Sequence, residues 1–189
     1  MEKYKIIALV GKAGAGKDRI LRETLNCSHF HEIVSCTTRP PREGEVDGIN
    51  YHFYDEKEFI DQILLDNMLE HTVFRGWFYG TGIESVVADK INIGVFNPAG
   101  IENLEERDDV DLMVVWVRAS DKERLLRQLN RENGPDCKEI VRRFQTDEED
   151  FDRVKFDYYE IWNEDVEALE TAPWKIMSWA ESHFNRRAE

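Results

Sequence analysis

Positive charge is in short supply in this 189-residue sequence, where 25 lysines and arginines stand against 39 aspartates and glutamates for a formal net charge of −14. A surface of that sign repels nucleic-acid backbones and anionic membrane faces, so neither is an expected partner. A small anionic substrate is not excluded, because a few clustered arginines can build a local positive cleft. Cysteine is scarce too. Cys27, Cys36 and Cys137 form no CxxC or CxxxC pair, which argues against a metal site or disulfide and suits free thiols in a reducing compartment. His29, His31, His52, His71 and His183 show no metal-ligand spacing with acids or cysteines. No apolar run approaches the ~20 residues of a membrane span, and the first residues carry too short an apolar stretch for a signal peptide. Repeats and low-complexity tracts are missing as well. The expectation is a soluble, cytoplasmic protein, monomeric or homodimeric.

Hydrophobic residues make up 41% of the chain, enough for the core of one compact domain. Residues 4–10 are a run of strand length, apolar but for Lys5, which predicts a buried parallel strand. A glycine-rich turn follows, then helical spacing at Ile20, Leu21 and Leu25. A second short strand is expected at 33–36. From 39 to 89 the texture changes to turn residues, an alternating NYHFY, a helix capped by Asp55 and a hairpin around Gly76, which together predict a small insert with its own sheet. Residues 92–98 and 111–117 read as further core strands. A capped helix over 120–134, a charged helix over 135–151 and a strand over 156–163 come next. A helical end broken at Pro173 closes the sequence, with Trp162, Trp174 and Trp179 expected to pack. Alternating strands and helices predict an α/β fold with a mainly parallel sheet flanked by helices.

The segment Gly11-Lys12-Ala13-Gly14-Ala15-Gly16-Lys17-Asp18 departs from the phosphate-loop pattern G-x-x-x-x-G-K-[ST] only at its last position. A strand before it and a helix after it supply the context the motif needs. Backbone N–H groups of such a loop form a nest for phosphate oxygens. The helix starting near Lys17 adds the positive end of its dipole. Lys17 would place its ammonium on the terminal phosphates, and Gly14 and Gly16 allow close backbone approach. Asp18 admits three readings: it caps the helix, it marks a loop that has lost its chemistry, or it binds Mg²⁺ directly or through water, since that ion prefers hard oxygen ligands.

Arg39 and Arg42 flank two prolines. On a polyproline helix of three residues per turn they would point to one side and make a stiff clamp for a phosphate, to which Tyr51 and Tyr79 can add hydroxyl donors. The run Ser35, Thr37, Thr38, Arg39, Arg42, Gly44, Glu45, Gly48, Tyr51 and Phe53, then Leu69-Glu70 and Tyr79-Gly80-Thr81, resembles the guanylate kinases in both order and spacing. With the phosphate loop, the likeness covers most of the first half of the chain.

The resemblance implies a P-loop nucleoside triphosphate hydrolase-like fold, with a core over 1–36, 91–126 and 151–189, a nucleotide-binding insert over 37–90 and a helical lid over 127–150. It also implies transfer of the ATP γ-phosphoryl group to GMP or dGMP with Mg²⁺. Arg39, Arg42, Tyr51 and Tyr79 would then hold the GMP phosphate, while Ser35, Glu70 and Thr81 would read guanine. A carboxylate at Glu70 accepts both N1–H and N2–H of guanine; adenine offers no such pair and would leave the charge unsatisfied. The family's lid patterns, R-L-x-x-R-G-T and I-x-x-R-L, correspond to Arg127, Arg131 and Arg143, and such arginines neutralise a transferring phosphoryl group. Asn163 follows a strand where the family places an asparagine near adenine. One departure stands out: the family's acidic strand end D-x-D-x-Q-G is here Val95-Phe96-Asn97-Pro98-Ala99-Gly100. Asp18 could take over part of the lost metal-organising duty. Two alternatives remain open, a broader deoxynucleoside monophosphate kinase and a non-catalytic module of this type that binds a phosphorylated partner.

Overall fold

The computed structural model describes residues 3–26, 30–42, 44–74, 76–130, 135–152 and 154–186. Five strands form a parallel sheet in the order β2 (Phe30–Glu32), β7 (Ile91–Val95), β1 (Tyr4–Val10), β8 (Val110–Arg118) and β9 (Tyr159–Trp162). The apolar run predicted as a buried strand is its centre, with Ile6 to Val10 fully buried. Its alternate side chains feed two layers. Ile7 and Leu9 pack with Ile93, Met113, Val115 and Ile161 against α1 (Lys17–Leu25) and α6 (Val166–Arg186). Ile6, Ala8 and Val10 pack with Val114 and Trp116 against Ile101 and Leu104 of α3 (Pro98–Glu105).

A second sheet of four strands runs β4 (His52–Phe53), β3 (Cys36–Thr37), β6 (Trp77–Gly82) and β5 (Met68–Phe74). β5 and β6 are the antiparallel hairpin expected around Gly76. On this sheet lies α2 (Glu56–Leu64), started by Asp55, whose carboxylate accepts the Glu58 amide in a full capping box. Phe59 anchors it, fully buried and stacked on Phe78 at 5.3 Å. After β8 come α4 (Asp121–Leu129), capped by Ser120, and α5 (Cys137–Phe151), capped by Asp136.

Four local expectations are corrected. The strand placed at 33–36 is two strands in different sheets: the chain leaves the core at Glu32 and joins the second sheet at Cys36. The Ile33 amide still bonds the Ile93 carbonyl at 2.8 Å, while the Ser35 carbonyl already serves His52 at 2.9 Å. β7 ends at Val95, and Asn97 caps α3 by accepting the Gly100 amide. The C-terminal helix is not broken at Pro173: α6 runs through it, and the buried Leu169, Ala172 and Ile176 supply packing that offsets the lost N–H. Trp162 and Trp174 are exposed; Trp179 packs, stacked on Tyr159 at 4.9 Å.

The second sheet has a small core of Cys36, Phe59 and Met68, so one aromatic ring carries much of its cohesion. Phe59→Ala is expected to lower the unfolding free energy by about 3–5 kcal/mol, read as a drop in the urea midpoint.

Candidate active site

The phosphate loop leaves the C-terminal end of β1 and turns into α1. Gly16 makes the turn with φ 97°, and a Cβ there would stand 2.3 Å from the Asn163 amide nitrogen. At Gly11 a Cβ would meet the Val117 carbonyl oxygen at 2.2 Å, because the loop lies directly on β8. Lys17 curls back and its Nζ donates to the Gly11 carbonyl at 2.7 Å.

Side chains outside the loop hold its carbonyls. The Arg127 guanidinium donates to Gly14 and Ala15 at 3.4 and 3.3 Å and to the Asn163 carbonyl at 2.7 Å. The Asn163 amide donates to Ala15 at 2.8 Å. Arg124 Nε donates to the Ala13 carbonyl at 3.0 Å, and Asp147 accepts the Ala13 amide at 2.7 Å. Lys12 pairs with Glu148.

Beneath the loop opens a cleft of about 860 Å³. Of the residues singled out in the sequence, it is lined by Gly11, Ala13, Gly14, Gly16, Lys17, Asp18, Ser35, Arg42, Tyr51, Glu70, Tyr79, Arg127 and Arg143. The others lie elsewhere. Lys12 and Ala15 face a smaller hollow of about 430 Å³ on the other side of the loop. Arg39 sits behind the cleft wall, Thr81 is fully buried behind Glu70, and Arg131 falls outside the described residues.

The arginine pair differs from the straight clamp expected of RPPR. Arg39 is turned inward and makes a two-pronged bond to Glu45 at 2.9 and 3.0 Å, with its guanidinium 5.3 Å from the Tyr51 ring centre. Arg42 is exposed at the cleft, and its amide donates to the same Glu45 carboxylate at 2.7 Å. The segment is a turn wound around Glu45 rather than a rod, since the Glu45 amide returns to the Arg42 carbonyl at 3.0 Å. Burial alone would raise the Glu45 carboxyl, but the Arg39 fork and the Arg42 amide outweigh it and hold it below the usual range. Tyr51 and Tyr79 meet edge to face at 6.2 Å. Burial, with Tyr79 and Asp18 facing it, keeps the Tyr51 hydroxyl protonated beyond its ordinary range.

Glu70 lines the cleft from β5. Burial pushes its carboxyl up to about 7, and the Thr81 hydroxyl, donating to Oε1 at 2.8 Å, pulls the other way. Gly100 leaves room for it: a Cβ there would lie 2.9 Å from Oε2. Asn97, in the place of the family's acid, is occupied structurally, accepting from Gly100 and donating to Thr72 at 2.9 Å.

Asp18 is exposed in the first turn of α1 and makes no capping bond. Among the described residues no cluster of three acids, histidines or cysteines could hold a metal unaided. A lone carboxylate beside Lys17 on the cleft suits an ion that takes one or two protein oxygens, keeps waters and shares substrate phosphates, as Mg²⁺ does.

Sequence reasoning missed Arg124, Asp147 and Gln128. Gln128 is buried, lines the cleft, and neither atom of its amide has a partner among the described residues. Arg124 and Gln128 stand at i and i+4 on one face of α4, while Leu125 and Leu126 are exposed, and hydrophobic periodicity gives no sign of that orientation.

The sequence model described as guanylate kinase matches residues 3–178. A guanylate kinase of Gloeobacter violaceus is 35% identical over 146 residues, covering 74% of this chain and 69% of that protein. One from Clostridium perfringens is 30% identical, covering 86% and 77%. One from Clostridium tetani is 40% identical over 87 residues, which span 46% of this chain and 42% of that relative. Among solved structures, the guanylate kinase of Anaplasma phagocytophilum shares the fold with a TM-score of 0.69 at 22% identity, covering 97% of this chain and 88% of that one. With its sequence model spanning nearly the whole chain and relatives of 30% identity or more covered to two thirds, this protein belongs to the guanylate kinase family.

Proposed function

We propose that the protein transfers the γ-phosphoryl group of ATP to GMP or dGMP, giving ADP and GDP or dGDP. The observation that carries this reading is one cleft lined by the phosphate loop with Lys17, by Arg42, Tyr51 and Tyr79, and by the buried carboxylate of Glu70. In this reading the cleft holds the two nucleotides end to end. Residues 37–90 act as the GMP-binding insert and 127–150 as the lid. No helix among the described residues is long and apolar enough to cross a membrane.

A phosphate oxygen of GMP attacks the γ-phosphorus while the bond to the bridging oxygen of ADP breaks. The nucleophile is already anionic, so no side-chain base is needed, and the protein's work is positioning and charge stabilisation. The first-turn amides of α1, which have no intrahelical partner, and the Lys17 ammonium receive the ATP phosphates. Arg42, Tyr51 and Tyr79 hold the acceptor phosphate, with Arg39 and Glu45 behind them fixing the turn. Arg143 stabilises the charge on the moving group, and Arg131 belongs to the same lid segment. Ser35 and Glu70 read guanine, with Thr81 orienting the carboxylate. Asp18 is the residue that would hold the Mg²⁺ accompanying ATP, an ion whose chemistry is charge neutralisation on the phosphate oxygens.

The deciding assay is ATP-coupled turnover on GMP, dGMP, AMP, dTMP and dUMP with magnesium present. Guanine nucleotides are expected to be preferred, and preference for a pyrimidine would overturn the base assignment. A protein that ignores ATP yet binds phosphopeptides would instead be a scaffold module.

Asp18→Ser is expected to change the magnesium concentration giving half-maximal turnover and to alter kcat; unchanged values for both would show that Asp18 is not a ligand.

Glu70 generates a pH prediction. Guanine needs the ionised carboxylate, and the free protein holds it near 7 by burial. GMP affinity should therefore rise between pH 6 and 8, changing ~10-fold per unit below the midpoint, whereas Glu70→Gln should bind weakly with a flat profile. Stability runs the other way. A carboxyl raised from 4.5 to about 7 binds more protons folded than unfolded, so its ionisation removes stability from the free protein as pH rises through that window. At pH 8 Glu70→Gln should be more stable than the parent, by up to about 3 kcal/mol, in thermal denaturation without nucleotide.

A further inference from the structure

Arg124 and Asp147 make a buried charge pair that the chemistry above does not use. Arg124 is 1% exposed and Asp147 5%. Asp147 Oδ2 accepts both Arg124 Nη2 and the Ala13 amide, each at 2.7 Å. Arg124 Nε returns to the Ala13 carbonyl at 3.0 Å. Both backbone groups of one phosphate-loop residue are thus taken by a pair that bridges α4 and α5. The guanidinium also bonds Asp121 at 2.6 Å and lies 4.3 Å from the ring centre of Phe144 on α5.

Two features show what the pair does for its surroundings. Of the fifteen residues of α5, only Ile140 and Asp147 are buried, so an ion-paired acid supplies a large part of this helix's attachment. Asp147 also lies one turn beyond Arg143, on the same face, and Arg143 lines the cleft. An apolar pair of similar volume could hold two helices together at no loss of stability. What it could not do is take up the N–H and the C=O of Ala13 at once. The chemistry of the pair therefore matches a task at the loop.

The geometry points to Arg124 and Asp147 as a positioning pair for phosphoryl transfer: they fix the phosphate loop at Ala13 and hold α5 so that Arg143 faces the transferring group. This rests on the ATP-to-GMP reading. Neither residue touches the reacting atoms. They act through Arg143 and through the loop, tying the donor-phosphate cradle to a helix that carries one of its cations before any nucleotide arrives.

The test is a double-mutant cycle in kcat/KM for ATP at saturating GMP, using Asp147→Asn, Arg143→Ala and the double variant. Each single change is expected to cost on the order of 100-fold. The double variant should fall no more than ~3-fold below the weaker single variant, because residues acting as one unit are not additive. GMP affinity by calorimetry should stay within ~2-fold throughout, which a general loss of fold would not allow. Amide exchange without nucleotide should quicken in Asp147→Asn over both 11–17 and 137–151. Arg124→Lys keeps the charge but loses the fork, and should reproduce the pattern if Asp147→Asn folds poorly. Additive losses in the cycle, or unchanged exchange over both segments, would overturn the inference. A wild-type protein without turnover on GMP would remove the functional reading instead, and the exchange measurement, which needs no turnover, would still decide whether the pair ties α5 to the loop.

Discussion

A loop that offers amides to an anion must be held largely through its carbonyls, and that constraint organises this end of the molecule; Ala13 is the exception, its amide taken by Asp147 as well. Arg124 takes Ala13, Arg127 takes Gly14 and Ala15, Asn163 adds a second donor to Ala15, and Lys17 itself takes Gly11. These donors arrive from α4, from the segment after β9 and from α1, so the arrangement requires the parallel sheet to bring all three beside the end of β1. The glycines serve the same demand from inside: side chains at Gly11 and Gly16 would collide with the groups the loop rests on.

The Glu70 part of the cleft is built on the reverse logic. The loop satisfies its groups before a ligand comes, whereas Glu70 is left with one hydroxyl partner and deep burial, and its carboxyl rises to about 7. A carboxylate in that state is costly until two N–H donors on one edge arrive. Discrimination then rests on the penalty for a base that lacks them. Thr81 limits the cost without removing it, and it fixes which oxygen faces the cleft.

Much of this was legible in the sequence, for identifiable reasons. The strand at 4–10 is apolar without interruption from Ile6 to Val10 because both faces of a central parallel strand are covered, and the glycine pattern after it has few other structural explanations. The capping residues Asp55 and Ser120 were readable because caps are local. What stayed hidden depends on distant partners. The α4 segment KERLLRQL turns Arg124 and Gln128 inward and Leu125 and Leu126 outward, the reverse of what hydrophobic periodicity expects, since the partners of its arginines are loop carbonyls rather than a core. RPPR looked like a rod because nothing local announces that Glu45 will pull Arg39 back and wind a turn. The break at 33–35 between β2 and β3 was invisible for a related reason: the flanking residues have strand composition, and only the partners Ile93 and His52 tell the two sheets apart. Pro173 misled through a local rule that tertiary packing overrides.

The net charge of −14 and an anion-binding cleft are reconciled residue by residue. The cations in and around the cleft do not stand alone: Arg39 holds Glu45, Arg143 holds Glu139, Lys12 holds Glu148, and Arg124 holds Asp147. These partners divide into two kinds. Asp147 is buried with its arginine and bonds the backbone as well, so a ligand cannot displace it without opening the core. Glu139 is half-buried, and the arginines beside it hold its carboxyl down at about 2. A partly exposed pair of that type is screened by solvent and contributes little to stability, so a phosphate can take its arginine at small cost. The acid that fixes the loop at Ala13 is buried, whereas the acid that occupies Arg143 is partly exposed, and that difference in burial separates a permanent pair from one a substrate can displace.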